Sequence, residues 1–239
     1  MTRRKSNLSL EESKPLSKKD IINKIVTKKS KDKFLTDNQK KYYDTLVSNQ
    51  ITICSGPAGV GKSFIAMKAA VDLLVDYNTP YEKIIIVRPA VEAEEKLGAL
   101  PGNLEEKLDP YIFPSYYLLS KIIGKDAKEK LVENEVVEVF ALAYMRGMNI
   151  DNSILIFEEG QNATPKQMKL LMTRIGYNSK FFISGDLEQT DRYKEKTQSG
   201  LYDALQRFND INDIGIFEFS NEDVVRNPLI SKILKKYEE

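Results

Sequence analysis

Ile51-Thr52-Ile53-Cys54-Ser55-Gly56-Pro57-Ala58-Gly59-Val60-Gly61-Lys62-Ser63 is the stretch that decides the fold. Ile51 to Cys54 is a β-rich apolar run, and from Lys62 to about Val75 the residues Ile65, Ala66, Ala69 and Leu73 share one side of a helix. The segment therefore reads strand, turn, helix. Its turn fits G-x-x-x-x-G-K-[ST], in the structural context that pattern requires. Glycines let successive backbone N–H groups converge on an anion, and the start of the following helix adds partial positive charge. Gly56, Pro57, Ala58, Gly59, Val60, Gly61, Lys62, Ser63 and Phe64 are expected to cradle the phosphates of a nucleoside triphosphate. Lys62 would reach the β- and γ-phosphates, and the Ser63 hydroxyl would ligate Mg²⁺.

Working outward, buried-strand candidates recur at Lys83–Val87, Val136–Phe140, Ile154–Phe157, Lys180–Ile183 and Ile214–Phe217, separated by helical segments. Short apolar runs alternating with helices predict an α/β domain, a mostly parallel sheet covered on both faces. A helix is expected from Asp37 to Asn49. Another should start at Thr164-Pro165-Lys166-Gln167, an N-cap, a first-turn Pro and the Gln of a capping box, and run to about Ile175. Residues 92–131 differ. Pro101, Gly102, Pro110 and Pro114 punctuate amphipathic pieces there, which predicts a helical insertion between sheet elements. Tyr111, Phe113, Tyr116 and Tyr117 fall in this insertion; they could stack bases or pack in the core.

Ile154-Leu155-Ile156-Phe157-Glu158-Glu159 carries two carboxylates to the end of a buried strand, the edge at which α/β sheets bind ligands. Side chains alternate along a strand, so the two acids should point differently and take different roles. Glu158 is assigned to the magnesium shell and Glu159 to the attacking water.

The 239 residues, 41% hydrophobic and 30% charged, allow one large domain with a sizeable core. A single Cys and no His leave no internal disulfide and no Cys/His zinc site. No stretch approaches the length of a membrane span, and Met1-Thr2-Arg3-Arg4-Lys5 leads into polar sequence, so a soluble, cytoplasmic chain with no membrane partner is expected. The net charge of +1 hides an asymmetry: residues 1–33 hold 11 Lys or Arg against 4 Asp or Glu, leaving 25 against 31 in residues 34–239. A basic arm, 1–33, thus precedes a mildly acidic domain, 34–239. The arm is either a phosphate-backbone contact or a solvated terminus.

The phosphate loop together with Val87-Arg88-Pro89-Ala90-Val91-Glu92, Glu95-Lys96-Leu97-Gly98, Leu100-Pro101-Gly102, Ala143-Tyr144-Met145-Arg146-Gly147, Glu159-Gly160-Gln161-Asn162, Met172-Thr173-Arg174-Ile175-Gly176, Ser184-Gly185-Asp186 and Asp223-Val224-Val225-Arg226 resembles the PhoH family of ATPases, from about residue 35 onward. The resemblance implies a single RecA-like P-loop NTPase domain related to superfamily 1 helicases, using ATP and Mg²⁺ and acting on single-stranded nucleic acid, RNA more than DNA. By the same resemblance Gln189 senses the γ-phosphate, Gln39 reads the adenine edge, Arg226 completes a neighbour's active site, and Arg88 and Arg146 face nucleic acid. One motor domain has one half of such an inter-domain site, so self-association into a homo-hexameric ring is implied. Two departures stand out. The family usually has Asp where this chain has Glu158, one methylene longer, and commonly His where this chain has Asn227. Glu158 makes a slow nucleotide-regulated switch or scaffold the alternative to a motor.

Overall fold

The computed structural model describes residues 17–27, 33–89, 104–190 and 195–225, with the backbone alone for 104–112. The phosphate-loop segment forms as its pattern requires: β1 (Ile51–Ser55) runs into the loop, and the loop into a helix at Lys62–Val75. Two helices precede β1: α1 (Lys18–Ile25) and α2 (Asp37–Ser48), so the helix after the loop is α3. Then come β2 (Lys83–Arg88), α4 (Leu104–Ile123), α5 (Lys125–Glu133), β3 (Val137–Ala141), β4 (Ser153–Phe157), α6 (Pro165–Met172), β5 (Lys180–Gly185), α7 (Gly200–Arg207) and β6 (Ile214–Glu218). The six strands form one sheet, in the order β3-β2-β4-β5-β1-β6, and every pairing is parallel. This is a RecA-like P-loop domain, with β5 between the loop strand β1 and the carboxylate strand β4.

The pleat explains why both faces are covered. Along β4, Ile154 and Ile156 join the apolar cluster under α1 to α5, while Leu155 and Phe157 join the cluster under α6 and α7. On β5 the division is Phe182 against Phe181 and Ile183. Side chains that alternate with period two can be apolar at every position only where both faces are buried. The outer strands β3 and β6 are half-buried, as edges should be. Because all strands are parallel, the C-terminal ends of β1, β2, β4 and β5 share one edge, and the phosphate loop, Arg88, Glu158, Glu159 and Gln189 lie at or just after those ends.

α6 starts as its sequence specifies: the Thr164 hydroxyl accepts from the Gln167 N–H, the Gln167 side chain accepts from the Thr164 N–H, and Pro165 occupies the first turn. From residue 104 onward the insertion is helical, and Pro110 and Pro114 do not divide it; residues 92–103, with Pro101 and Gly102, lie outside the described residues. α4 continues through Pro110 and Pro114. Pro114 is exposed, so the carbonyl its ring leaves without a helical donor lies toward water, and the turns on either side hold the helix together.

Part of the basic arm belongs to the domain. Ser17 and Asp20 form a capping box for α1. Ile22 is fully buried, and the Lys19 ammonium donates to the carbonyls of Leu74 (2.7 Å) and Tyr81 (2.9 Å), fixing α1 against the end of α3. Burial there pulls the Lys19 pKa down.

Cys54, in the middle of β1, is fully buried, and burial pushes its thiol up to about 12 from an ordinary value of 9.0. Below pH 9 the thiol is protonated in both states and the fold keeps its full stability; as the pH rises from about 9 to 12 the unfolded thiol ionises while the native one stays protonated, and stability is lost. Urea midpoints between pH 7 and 11 should fall on the alkaline side, and Cys54→Ala should flatten part of that slope. A wild-type slope identical to that of Cys54→Ala would show that the thiol is not the titrating group.

Candidate nucleotide site

The loop after β1 is held from outside as well as by its own glycines. Gly61, with φ +95°, is left-handed at the position just before α3, and a Cβ there would come within 3.0 Å of the Gln39 amide. At Gly56 a Cβ would meet the Phe219 Cβ at 2.6 Å, so the chain leaving β6 can lie against the loop only because residue 56 has no side chain. The same C-terminal segment returns a backbone bond, from the Val225 N–H to the Gly59 carbonyl (3.2 Å). Its approach is fixed by Asp223, whose carboxylate accepts from the Ser220 N–H and the Asn38 amide, bonds that hold its pKa below the usual carboxylate range. Arg226 itself lies outside the described residues.

Lys62 curls over the loop, its ammonium donating to the carbonyls of Gly56 (2.6 Å) and Pro57 (2.9 Å). A cavity of about 320 Å³ opens beside it, lined by Ala58, Gly59, Gly61, Lys62, Ser63 and Phe64 on one side and by Glu159, Ser184, Gly185, Asp186 and Gln189 on the other, with Leu118 of α4 at its rim. The loop lysine and hydroxyl, a carboxylate and two groups from the end of β5 thus meet around one space.

The two acids after β4 point to different places. Glu158 is only 2% exposed and points into the domain, where its Oε2 accepts from Arg88 Nε (3.1 Å), Arg88 Nη2 (2.7 Å) and the Ser115 hydroxyl of α4 (2.7 Å). Glu159 points to the cavity from a left-handed backbone, φ 56°. A non-glycine residue is held there at some cost, and such strain gathers at functional sites. Its carboxylate accepts from Gln161 Nε2 (2.7 Å).

Gln161 links the elements in a way its position in the sequence did not announce. Buried at the end of β4, it also donates to the Gln189 carbonyl (3.1 Å) and accepts from the Asp186 N–H (3.1 Å). One amide therefore ties the water-positioning candidate, the proposed γ-phosphate sensor and a third carboxylate, Asp186. Glu159-Gly160-Gln161-Asn162 was visible as a block, but only the fold shows that the Gln lies across from β5.

Two residues sit elsewhere than expected. Arg88, assigned to nucleic acid, is turned inward, because a buried carboxylate next to the end of β2 needs a cation and the guanidinium fork supplies two donors to it. Gln39, assigned to adenine, is buried below the loop. Its Oε1 accepts from the Leu35 N–H (2.8 Å) and its Nε2 donates to the Val60 carbonyl (3.0 Å), so it props the loop from the side of α2. Arg146 is exposed, beyond the end of β3.

The buried pair gives a stability prediction. Arg88→Ala leaves a carboxylate inside the domain with one hydroxyl partner, which should cost about 2–4 kcal/mol in urea unfolding. Adding Glu158→Gln should recover part of the loss, since a neutral amide needs no cation. Equal stability of Arg88→Ala and wild type would mean that Glu158 is not held as described.

Comparison with known sequences agrees with this geometry. Residues 33–238 match the family model described as PhoH-like protein. The chain belongs to the PhoH-like family. A PhoH-like protein of Bacillus subtilis (strain 168) is 42% identical over 217 residues, 90% of this chain and 67% of its own length. The corresponding figures are 43% over 202 residues, 84% and 56%, for a PhoH-like protein of Mycobacterium tuberculosis (strain H37Rv), and 37% over 201 residues, 83% and 56%, for the Protein PhoH of Escherichia coli (strain K12). The PhoH-like chain thus spans 56 to 67% of the length of these relatives. Among solved structures, the UvsW helicase of bacteriophage T4 aligns with a TM-score of 0.40 and 20% identity over 86% of this chain and 68% of that one. Bacteroides Pif1 bound to ssDNA aligns with a TM-score of 0.38 and 16% identity, over 86% and 46%. Likenesses of that size add nothing to the strand order, on which the fold assignment rests. Among the described residues of this PhoH-like chain, no helix is long and apolar enough to cross a membrane.

Proposed function

We propose that the chain is a Mg²⁺-dependent ATPase whose turnover is coupled to binding, and to movement along or remodelling of, single-stranded nucleic acid, RNA in preference to DNA. The observation that carries the reading is the 320 Å³ cavity in which Lys62 and Ser63 face Glu159 and Gln189. Lys62 binds and neutralises the β- and γ-phosphates, Glu159 takes the proton of the attacking water, and the Gln189 amide registers the γ-phosphate by donating to it while accepting from water. Gln161 orients the Glu159 carboxylate and ties it to the backbone of Gln189.

The donor set suits Mg²⁺: a hydroxyl at the loop, carboxylates nearby, and phosphate oxygens from the substrate, the mixture this ion prefers to an all-protein cage. Ser63 would hold it directly. Glu158, assigned to the magnesium shell, does not line the cavity: it is buried, with Arg88 and Ser115 bonded to its Oε2, so any part it takes in holding the ion would pass through a bridging water. Bound Mg²⁺ would neutralise charge on the phosphates as the terminal bond breaks. Arg146 remains a candidate for nucleic-acid contact and Arg226 for completing a neighbour's site in a homo-hexamer; Arg88 is better placed to transmit the state of Glu158 to the end of β2.

The test is phosphate release from Mg·ATP with and without single-stranded RNA, with solution mass measured on the same sample. A motor should speed up several-fold on RNA and less on DNA of the same sequence. A rate that is slow and indifferent to nucleic acid would favour the nucleotide-regulated switch, the reading that Glu158 in place of Asp keeps open.

A further inference from the structure

α4 has two working faces. Toward the domain, Ser115, Leu119 and Ile122 are buried, Ser115 reaches Glu158, and Leu118 rims the nucleotide cavity. On the opposite side, at spacings of four, stand Phe113, Tyr117 and Lys121. Phe113 is 69% exposed and Tyr117 51%. Their rings lie within 15° of parallel, with centroids 6.3 Å apart, and the Lys121 ammonium is 4.8 Å from the centre of the Tyr117 ring. Tyr116, one residue away, packs half-buried against the core, so the helix separates aromatics that serve the fold from aromatics that do not.

Large rings left together on a surface mark an interaction site more often than chance exposure does. We infer that Phe113, Tyr117 and Lys121 form a stacking row for the bases of single-stranded nucleic acid, with Lys121 taking a backbone phosphate. This rests on the nucleic-acid reading above and adds a place for the strand. Near-parallel, solvent-facing rings offer flat π-faces on which successive bases can stack without sequence preference, and the cation beside them complements the phosphate. A protein partner would instead call for a broad apolar surround, whereas among the described side chains of α4 this row is flanked by Ser120 and ends at Lys121. Because the other side of the same helix touches Glu158 and the nucleotide cavity, a strand held on the row and a nucleotide held in the loop act on one rigid element.

The experiment is anisotropy titration of the full chain with fluorescein-labelled oligouridylate over a range of salt concentrations. Phe113→Ala combined with Tyr117→Ala should weaken binding by about 10- to 100-fold with the salt slope unchanged, because stacking and not phosphate contact is lost. Lys121→Ala should weaken it less and lower the slope by about one ion. Phe113→Tyr should bind as wild type, and so should Tyr177→Ala, which removes a still more exposed ring before β5 at the opposite edge of the sheet. The chain has no Trp, so Tyr117→Trp places a single indole on the row, and its emission should be quenched as oligouridylate is added. An indole that does not respond, or a double variant that binds as wild type does, overturns the row while leaving the nucleic-acid reading in place. A wild type that binds neither oligouridylate nor oligodeoxythymidylate overturns both. If the double variant falls to a smaller assembly in solution, the row is a contact between copies of this chain and the inference fails.

Discussion

Lys62→Ala is expected to abolish measurable ATP hydrolysis, a loss of at least about 10²- to 10³-fold, and to weaken triphosphate binding severely. The ammonium is the mobile cation of the loop and already lies over it, bonded to the Gly56 and Pro57 carbonyls. Its removal takes away the loop's own side-chain cation, leaving backbone dipoles and bound Mg²⁺ to offset the charge of the β- and γ-phosphates. The fold should survive, since α3 is anchored by Ile65, Ala66, Ala69 and Ala70, all buried, and not by Lys62. Phosphate release and binding of a fluorescent ATP analogue, with a thermal melt as the control for folding, give the result. Turnover within a factor of two of wild type in a folded variant would remove the site assignment.

Glu159→Gln is expected to have the second large effect, about 10²- to 10⁴-fold on hydrolysis, with nucleotide binding kept. The amide fills the same space, and its oxygen can still accept from Gln161, so the left-handed turn and the link to Gln189 should persist. What is lost is the ability to take a proton. If Glu158→Gln stops chemistry while Glu159→Gln leaves it intact, the roles of the two acids are reversed.

The parts legible in the sequence were those set by local periodicity and by a fixed motif. The six strands, the helix after the phosphate loop and the cap at Thr164 all follow from short-range pattern, and they lie where that pattern puts them. The different directions of Glu158 and Glu159 were expected too, but both lie past the end of β4 and Glu159 is left-handed, so the turn after the strand and not alternation along it separates them. What escaped was side-chain partnership across the sheet. Arg88 lies 70 residues from Glu158 and Gln161 lies 28 from Gln189, and nothing in either segment announces the pairing until β2, β4 and β5 stand side by side. Gln39 was assigned to the adenine edge, but whether its amide faces a ligand or the loop's own backbone depends on the packing of α2. The prolines of α4 misled for a simpler reason: a proline whose lost bond faces water can be tolerated inside a helix, and exposure is not written in the local sequence.

The account's central claim, that the Lys62, Ser63, Glu159 and Gln189 cavity hydrolyses ATP, is tested most directly by following the nucleotide bound to wild type and to Glu159→Gln after mixing each with Mg·ATP and single-stranded RNA. Wild type should pass through bound ATP to ADP and released phosphate, whereas Glu159→Gln should hold intact ATP with near-wild-type affinity. ATP consumed at equal rates by the two proteins, or ATP held unhydrolysed by wild type itself, would contradict it.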